Sequence, residues 1–391
     1  GDEVPMMMNR SALLSLLLLL SSACDNGDPS EPPEPPEPPT ESIVFQSSFE
    51  DGVTVMETGE ARCSGDIQGS DGSVNGDWES DLEAAPIDHM KFCYGGKDDD
   101  VVNGGDLGQR GIRLVEDPDQ PGNTVLHTWV AEPAENYKDL DADDLACSCV
   151  NGVDANGDVC ADVPVDDNGS PLDHYDTNGT RKGRVQMVIS AAEGTPFSSF
   201  SYSIRLRLGE GYERINNDLP QKLEWMTIGE FWNQGPATLG VGNRSRVTLN
   251  LVKEAANAPF HFGLKMDIQP DGGSGWQVIW PEKEQDSDPE HLVSGDPVPV
   301  GEWFTLKVSL VAGDGTTGRT TVDLIRENGN ETRIFDMTGA TIYPDSTVPG
   351  FTALSPIKLY TAGNVICWLR SLGLPMDAHW DDFSLSVSAA E

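Results

Sequence analysis

Apolar and polar residues alternate along short stretches of this chain, and the clearest stretch is 303–311. Phe304, Leu306, Val308 and Leu310 alternate there with polar residues. A period of two places each set of side chains on its own face of a β-strand. The segment therefore predicts a half-buried strand.

Segments of the same character recur at short intervals and are separated by Gly- and Pro-containing turns. The predicted strands are 43–52, 111–115, 124–130, 184–190, 200–208, 223–230, 245–252, 260–268, 276–279, 303–311, 319–325, 333–337, 357–361 and 380–387. Residues 65–100 predict long loops, and 365–372 is the one segment that predicts a short helix. Many strands and almost no helix are typical of an all-β fold, here a two-sheet antiparallel β-sandwich. We expect one domain over residues 43–390, with an acidic insertion at about 131–182.

The stretch 223–234 begins as an apolar strand and ends in polar and aromatic residues. Strict alternation places Met226, Ile228, Glu230 and Trp232 on one face and Thr227, Gly229, Phe231 and Asn233 on the other. Gly229 predicts a β-bulge or a close backbone approach. A carboxylate, an indole and an amide at the end of a strand are typical of a sugar-binding groove. A core strand that ends in a polar loop is the alternative.

Charge narrows the range of partners. The 391 residues include 65 acidic and 25 basic ones, which gives a formal net charge of −40 at pH 7. Nucleic-acid binding needs a basic surface, so a nucleic-acid partner is excluded. High net charge also keeps proteins soluble and monomeric, and we expect a monomer.

The N-terminal 42 residues predict export and a tether. Arg10 precedes an apolar run, 12–20, that is too short to span a bilayer, so 1–24 predicts a signal peptide. The segment Ser21-Ser22-Ala23-Cys24 resembles a bacterial lipoprotein processing box, in which Cys24 is lipidated. Ordinary signal-peptidase cleavage is the alternative, because Ser21 stands where Leu is commonest.

Residues 25–42 repeat Glu-Pro-Pro and predict an extended spacer. We therefore expect a protein at the bacterial cell envelope or surface, in contact with the membrane only through its lipid.

The remaining cysteines predict disulfide bonds. Seven cysteines are present, and six remain if Cys24 is lipidated. An even number in an exported chain indicates disulfides, and the absence of a Cys-x-x-Cys pair argues against zinc. The pairings we expect are Cys63–Cys93, Cys149–Cys160 and Cys147–Cys367.

Two acidic groups are candidates for structural calcium. In a sandwich the first and last strands commonly pair, which would bring Glu50 and Asp382 together, and clustered carboxylates need a hard cation. Solvent-facing carboxylates without metal are the alternative. The second group, Asp154, Asn156 and Asp158, has oxygen ligands at alternate positions, as in an EF-hand loop, but lacks the glycine at the sixth position and the closing glutamate. An acidic turn that binds no metal is the equally favoured alternative for this second group.

Four segments in order carry a family resemblance. They are Arg184-Val185-Gln186, Thr227-Ile228-Gly229-Glu230-Phe231-Trp232-Asn233, Gly301-Glu302-Trp303 and Trp380-Asp381-Asp382-Phe383. Together they resemble the jelly-roll polysaccharide lyases of the heparin-lyase and alginate-lyase type and related concanavalin A-like glycan-binding domains. The resemblance covers residues 43–390 at the level of pattern, and it implies an extracellular polysaccharide as partner.

The resemblance also implies roles for particular residues. Those lyases carry Arg-x-Glu on one strand, Gly-Gln-x-His on the central strand, and a Tyr with a nearby Lys on a late strand. This chain offers Arg184 with Gln186 in the first motif, and Glu230 with Trp232 in the second. Tyr360, close to Lys358, lies near the position of the lyase Tyr.

Two functions are compatible with these residues. In the first, a tethered module binds a polysaccharide through Glu230, Trp232, Asn233 and Arg184, with Arg205 and Lys265 as nearby cations. In the alternative, a lyase cleaves a uronate-containing glycan by β-elimination. Arg184, Gln186 and Asn233 would then neutralise the carboxylate, and Tyr360 or His261 would act as the base. The missing histidine of the second motif favours the binding module. A glycoside hydrolase ranks below both, since no suitably spaced pair of carboxylates is evident.

Overall fold

Strands dominate the computed structural model, which describes residues 44–56, 66–72, 78, 87–93, 110–131, 182–234, 244–269, 277–281 and 291–389. The first elements in chain order are β1 (Phe45–Ser47), β2 (Val53–Met56), β3 (Asp66–Gly69), β4 (Ile87–Cys93), β5 (Arg110–Glu116), β6 (Thr124–Val130), β7 (Lys182–Ala191), β8 (Phe197–Leu208), α1 (Glu210–Asp218), β9 (Thr227–Gln234) and β10 (Arg244–Val252). They are followed by β11 (His261–Gln269), β12 (Gln277–Trp280), β13 (Leu292–Pro297), β14 (Trp303–Val311), β15 (Arg319–Arg326), β16 (Glu331–Thr338), β17 (Ala353–Ser355), β18 (Lys358–Ala362), α2 (Gly363–Ser371) and β19 (Met376–Ala389).

The strands form two large sheets. The eight-stranded sheet has the order β16-β15-β14-β8-β19-β6-β5, with β1 paired to β19. The nine-stranded sheet has the order β12-β11-β10-β9-β17-β7-β18, with β13 on β11, β4 on β7 and a further pairing of β9 with β18. Every described pairing is antiparallel. The predicted all-β architecture of two antiparallel sheets is confirmed.

The apolar faces of the two sheets pack against each other. The ring of Phe231 on β9 lies 5.0 Å from that of Phe200 on β8, and Phe262 on β11 lies 6.0 Å from Phe304 on β14. All four side chains are buried. Burial of each such side chain stabilises the fold by about 1.5–3 kcal/mol. Because alternate residues of each strand face this core, the residues between them point away from it.

Two expectations about particular strands are confirmed. β14 has the predicted bounds, 303–311, and its four alternating apolar residues are buried. The first and last strands do pair, with Phe45 opposite Leu385.

Other elements differ from the prediction. The expectation of loops over 65–100 is wrong for β3 and β4. β4 has only sparse apolar residues, but its buried Ile87 and Met90 hold it beside β7. The helix α2 was predicted, whereas α1 was not, because its sequence begins Glu-Gly and is short. Buried Tyr212 and Ile215 anchor α1 instead.

A buried lysine caps the C-terminal end of α1. Lys253 is 1% exposed, and its Nζ donates hydrogen bonds to the carbonyl oxygens of Ile215, Asn216 and Leu219 at 2.9, 2.9 and 3.2 Å. The last turn of a helix leaves carbonyl oxygens without helix partners. Ile215 O accepts one backbone N–H, that of Leu219 at 3.4 Å, and Lys253 adds a donor to all three carbonyls.

Lys253→Met is expected to lower the free energy of unfolding by about 1–3 kcal/mol, since it leaves buried carbonyls without a donor. Urea denaturation measures this loss. Lys222→Met is the matched control, because Lys222 pairs with Glu224 where both side chains are more than half exposed. If Lys222→Met lowered the free energy of unfolding as much as Lys253→Met does, the capping role of Lys253 would be contradicted.

Strand β9 contains an irregularity that fixes which side chains share a face. Leu249 of β10 lies opposite Gly229, but Asn250 lies opposite Thr227, so Ile228 is skipped. Thr227 Oγ1 donates to Asn250 Oδ1 at 2.8 Å, and Asn250 Nδ2 donates to Thr248 Oγ1 at 2.9 Å. Since Thr248 lies opposite Glu230, Thr227 shares a face with Glu230. The predicted bulge is confirmed, whereas strict alternation was wrong for Thr227.

Several predictions fall outside the described residues. They are the signal peptide 1–24 with Cys24, the tether 25–42, the insertion from 132 to 181 with Asp154, Asn156 and Asp158, and the side chains of the six cysteines that were predicted to pair. Residues 41–391 form one unit. Among the described residues, neither helix is long and apolar enough to cross a membrane.

Candidate functional site

A polar surface covers the side of the nine-stranded sheet that points away from the core. We call it the polar face and define it by Arg184, Gln186, Glu230, Trp232, Arg246, Lys265, Asp267, Lys358 and Tyr360. Strand register brings these residues together: Trp232 lies opposite Arg246, Arg246 opposite Asp267, and Gln186 and Arg184 opposite Lys358 and Tyr360. Directly opposite residues in an antiparallel pair share a face.

Glu230 lies at the centre of the polar face and holds two cations. One carboxylate oxygen accepts from the ammonium of Lys358, and the other accepts from Arg246 Nη1 at 2.7 Å. Glu230 is 1% exposed and Lys358 is fully buried. The carboxylate is therefore engaged by the protein, and the expectation that Glu230 binds sugar hydroxyls directly is not supported by this geometry.

The ion pairs continue across the sheet. Arg246 Nε donates to Asp267 Oδ1 at 2.8 Å, and Lys265 Nζ lies 3.5 Å from Asp267 Oδ2. The chain of charges thus runs over β18, β9, β10 and β11. Together with Arg184, the polar face carries four cationic side chains against two acidic ones in a protein whose net charge is −40.

The charges shift the pKa values of the central pair. Burial by itself raises the pKa of the Glu230 carboxyl, but Lys358 and Arg246 outweigh burial and lower that pKa to about 2. Burial lowers the pKa of the Lys358 ammonium to about 8, although Glu230 acts in the opposite direction. Both groups are therefore charged at neutral pH.

Tyr360 lies between two cations. The Arg184 guanidinium carbon is 5.3 Å from the centre of the Tyr360 ring, and Lys358 Nζ is 5.1 Å from it. The ring of Trp225 packs against Tyr360 at 5.0 Å. Gln186, opposite Lys358, has a buried side-chain oxygen that accepts no hydrogen bond within the described part of the chain. The phenol, two cations and an amide thus meet at one end of the polar face.

Trp232 lies on the polar face and is partly exposed. The guanidinium carbon of Arg246 is 5.4 Å from the centre of its ring. The indole is therefore not part of the core between the sheets. An aromatic ring in this position can pack on the apolar face of a sugar.

Three predicted site residues do not join this group. Asn233 points towards the opposite side of β9; it is fully buried, and its amide donates to the carbonyls of Val348 and Gly350. Arg205 lies on the eight-stranded sheet, where it pairs with Asp117, Asp381 and Glu327. Placing Arg205 beside Glu230 was wrong, because alternation along a strand does not identify the sheet that contains it.

His261 is the third. It lies on β11, and its Nδ1 is 2.8 Å from the carbonyl oxygen of Ser294. Three strand spacings, about 14 Å, separate β11 from β18 and Tyr360. His261 and Tyr360 therefore do not act on the same atom, and Tyr360 is the candidate base that lies among the cations.

Sequence reasoning missed Arg246 and Asp267 and did not assign Lys358 a role. Arg246 and Asp267 alternate with buried residues along β10 and β11, so their orientation could be read from the sequence. The ion pairs of Arg246 with Glu230 and with Asp267 could not, since they depend on the register of three strands.

The calcium candidates Glu50 and Asp382 lie near the paired ends of β1 and β19. Glu50 Oε1 accepts from the backbone N–H of Thr124 at 3.2 Å, and Asp382 is exposed with a φ of 47°. Neither belongs to a cluster of three or more metal-binding side chains among the described residues. Structural calcium stays a prediction.

Comparisons with known proteins give weak likenesses. No family model matches, and no curated protein matches. Among solved structures, the chain is similar to an endo-β-1,4-glucuronan lyase from the fungus Trichoderma reesei, with 12% identity over 72% of this chain and 88% of that one and a TM-score of 0.37. It is also similar to a marine PL-14 alginate lyase from Aplysia kurodai, with 7% identity over 89% and 100% and a TM-score of 0.42. A third is the alginate lyase AlyC3, with 7% identity over 73% and 91% and a TM-score of 0.33.

These structure neighbours are polysaccharide lyases, as the sequence resemblance implied. Their TM-scores lie below 0.5, so the function is argued below from the site of this chain alone.

Proposed function

We propose that this chain cleaves a uronate-containing polysaccharide by β-elimination on the polar face. The observation that carries the proposal is the position of Tyr360 between Arg184 and Lys358. A tyrosine side chain takes up a proton as the phenolate and gives one as the phenol, and the partly exposed Arg184 beside it can hold a sugar carboxylate.

Charge supports an anionic substrate. A protein with a net charge of −40 repels polyanions over most of its surface. The polar face has more cationic than acidic side chains, and the acidic ones, Glu230 and Asp267, are tied to Arg246. A polymer with one carboxylate per sugar can be attracted to this face.

Each step of the elimination has a candidate group. Arg184 and the Gln186 amide would bind the C6 carboxylate and stabilise the negative charge that develops when the C5 proton leaves. Tyr360, as the phenolate, would take up the C5 proton and, as the resulting phenol, give that proton to the departing glycosidic oxygen. The C4–O bond breaks and a C4–C5 double bond forms. Glu230 would position Lys358 and Arg246 rather than touch the sugar.

A binding module without catalysis is the second candidate. It is favoured by Trp232, whose partly exposed ring beside Arg246 offers a stacking surface. Both candidates place an acidic glycan on the polar face, and they differ in whether the glycan is cleaved.

The test uses matched polymers. The full chain is incubated with alginate, polyglucuronate, heparin and ulvan, and with carboxyl-reduced forms of the first two, while the absorbance of unsaturated uronate is followed. The proposal expects absorbance from at least one acidic polymer and none from its reduced form. Binding to an acidic polymer without any absorbance would favour the binding module, and cleavage of the reduced polymers would contradict both.

Trp232→Ala is expected to raise KM for the cleaved polymer by about 5- to 30-fold, because stacking of a ring contributes about 1–2 kcal/mol. Trp232→Phe, which keeps an aromatic ring, should retain most of the affinity. Steady-state kinetics on both variants measure the difference. An unchanged KM in Trp232→Ala would show that the indole does not contact the glycan.

A further inference from the structure

A cluster of two histidines and an aspartate lies on the eight-stranded sheet, on its face away from the core. His127 on β6 and His379 on β19 are directly opposite, and their rings stack at 4.6 Å. Asp377 Oδ2 is 3.1 Å from His127 Nε2. One ligand atom of each residue lies within 4.8 Å of the other two.

The surrounding residues leave room for the carboxylate of Asp377. A Cβ atom on Gly209 would lie only 2.2–2.5 Å from that carboxylate, so the missing side chain of Gly209 makes its position possible. The N–H of Gly209 also donates to the carbonyl oxygen of Asp377 at 2.9 Å. Trp129 stacks on the other side of His127 at 5.6 Å and shields its ring.

A second observation points to a ligand. His379 Nδ1 is buried and has no hydrogen-bond partner in the described part of the chain. Buried polar atoms almost always have a partner, and an orphaned ring nitrogen needs an explanation. A metal ion would supply one.

We propose that His127, Asp377 and His379 bind a divalent first-row transition ion, with Zn²⁺ as the representative. Two imidazole nitrogens and one carboxylate oxygen suit Zn²⁺ and its neighbours, whereas Ca²⁺ and Mg²⁺ prefer oxygen ligands alone. Three protein ligands leave a fourth position for water. Metal–ligand bonds of about 2.0–2.2 Å require the three atoms to approach slightly by side-chain rotation.

Binding requires one local rearrangement. Arg113 Nε donates to His127 Nδ1 at 3.2 Å, which leaves the ring proton on Nε2, towards Asp377. The ion would take the place of that proton at Nε2, and the proton would move to Nδ1. The exposed Arg113 side chain would then turn towards solvent.

This site is separate from the polar face, because it lies on the other sheet. It links β6 and β19 and adjoins the residue before α1, so the ion would stabilise the packing of these elements. The inference does not depend on the proposed glycan cleavage.

The test is a titration of the full chain with ZnCl₂ after EDTA treatment and dialysis, followed by calorimetry. One equivalent should bind, and His379→Gln and Asp377→Asn should each weaken binding by at least about 10- to 100-fold, the loss that follows even when a ligand's supporting partner is removed. His261→Gln, a histidine on the other sheet, is the matched control and should bind as the wild type does. Absence of binding, or equal binding by all variants, would overturn the proposal.

A measurement on the unaltered chain covers the case in which a variant does not fold. Co²⁺ should give the visible bands of a nitrogen- and oxygen-ligated ion without thiolate charge-transfer absorption, and Zn²⁺ should displace it. Strong thiolate absorption would assign the ion to cysteines and overturn the proposal.

Discussion

Tyr360→Phe is expected to lower kcat for the cleaved polymer by about 10²- to 10⁴-fold, the usual contribution of one acid–base group. The variant keeps the ring that packs against Trp225 and lies between Arg184 and Lys358, so only the hydroxyl is lost. KM should change little, since Arg184 and Gln186, which would hold the carboxylate, stay in place.

The control for Tyr360→Phe is Tyr343→Phe, the same chemical change in a turn that follows β16 of the other sheet. It should retain wild-type kcat. Rates are measured from the absorbance of unsaturated uronate, and folding from the near-ultraviolet circular dichroism. A folded Tyr360→Phe variant with more than about a tenth of the wild-type kcat would exclude Tyr360 as the main proton carrier.

Glu230→Gln is expected to cost about 3–5 kcal/mol of unfolding free energy at pH 7, because it leaves Lys358 buried without its counter-charge. Lys358→Met should cost less, since Glu230 keeps its bond from Arg246. The double variant should be less destabilised than the sum of the two, because the removed groups are each other's partners. Urea denaturation of the three variants measures these differences.

The effect of Glu230→Gln has a defined pH dependence. The carboxyl has a pKa of about 2 in the folded chain and 4.5 as its ordinary value, so its stabilisation is complete above pH 4.5 and is lost as the pH falls towards 2. The difference between wild type and Glu230→Gln should therefore shrink over that range. Lys307→Met is the control; it removes an ion pair with Glu331 in which both side chains are about half exposed, and it should cost at most about 1 kcal/mol at any pH. A pH-independent difference would contradict the role of the charge.

The sequence predicts the sheets well where one face of a strand is buried. β14 shows this, because four apolar residues at every second position leave one arrangement in which all four are buried. The same logic fails for α1, whose two apolar anchors and one glycine predict no helix. Lys253, more than thirty residues further along the chain, caps the C-terminal end of α1, and the sequence pattern does not contain that contact.

The site was predictable only in part. Arg184, Gln186, Trp232 and Tyr360 were identified, and the structure places them on one face. The partner of Glu230 was expected to be sugar, and it is instead Lys358 and Arg246. Pattern places a charged residue on a strand face, but the sheet and the register that bring two charges together are properties of the whole fold.

We claim that the polar face performs β-elimination, and the mass of the products decides whether it does. Oligosaccharides released from the cleaved uronate polymer should carry an unsaturated sugar at the non-reducing end and be lighter by one water than hydrolysis products. Saturated products, or an acidic polymer that is bound but left intact, would contradict the claim.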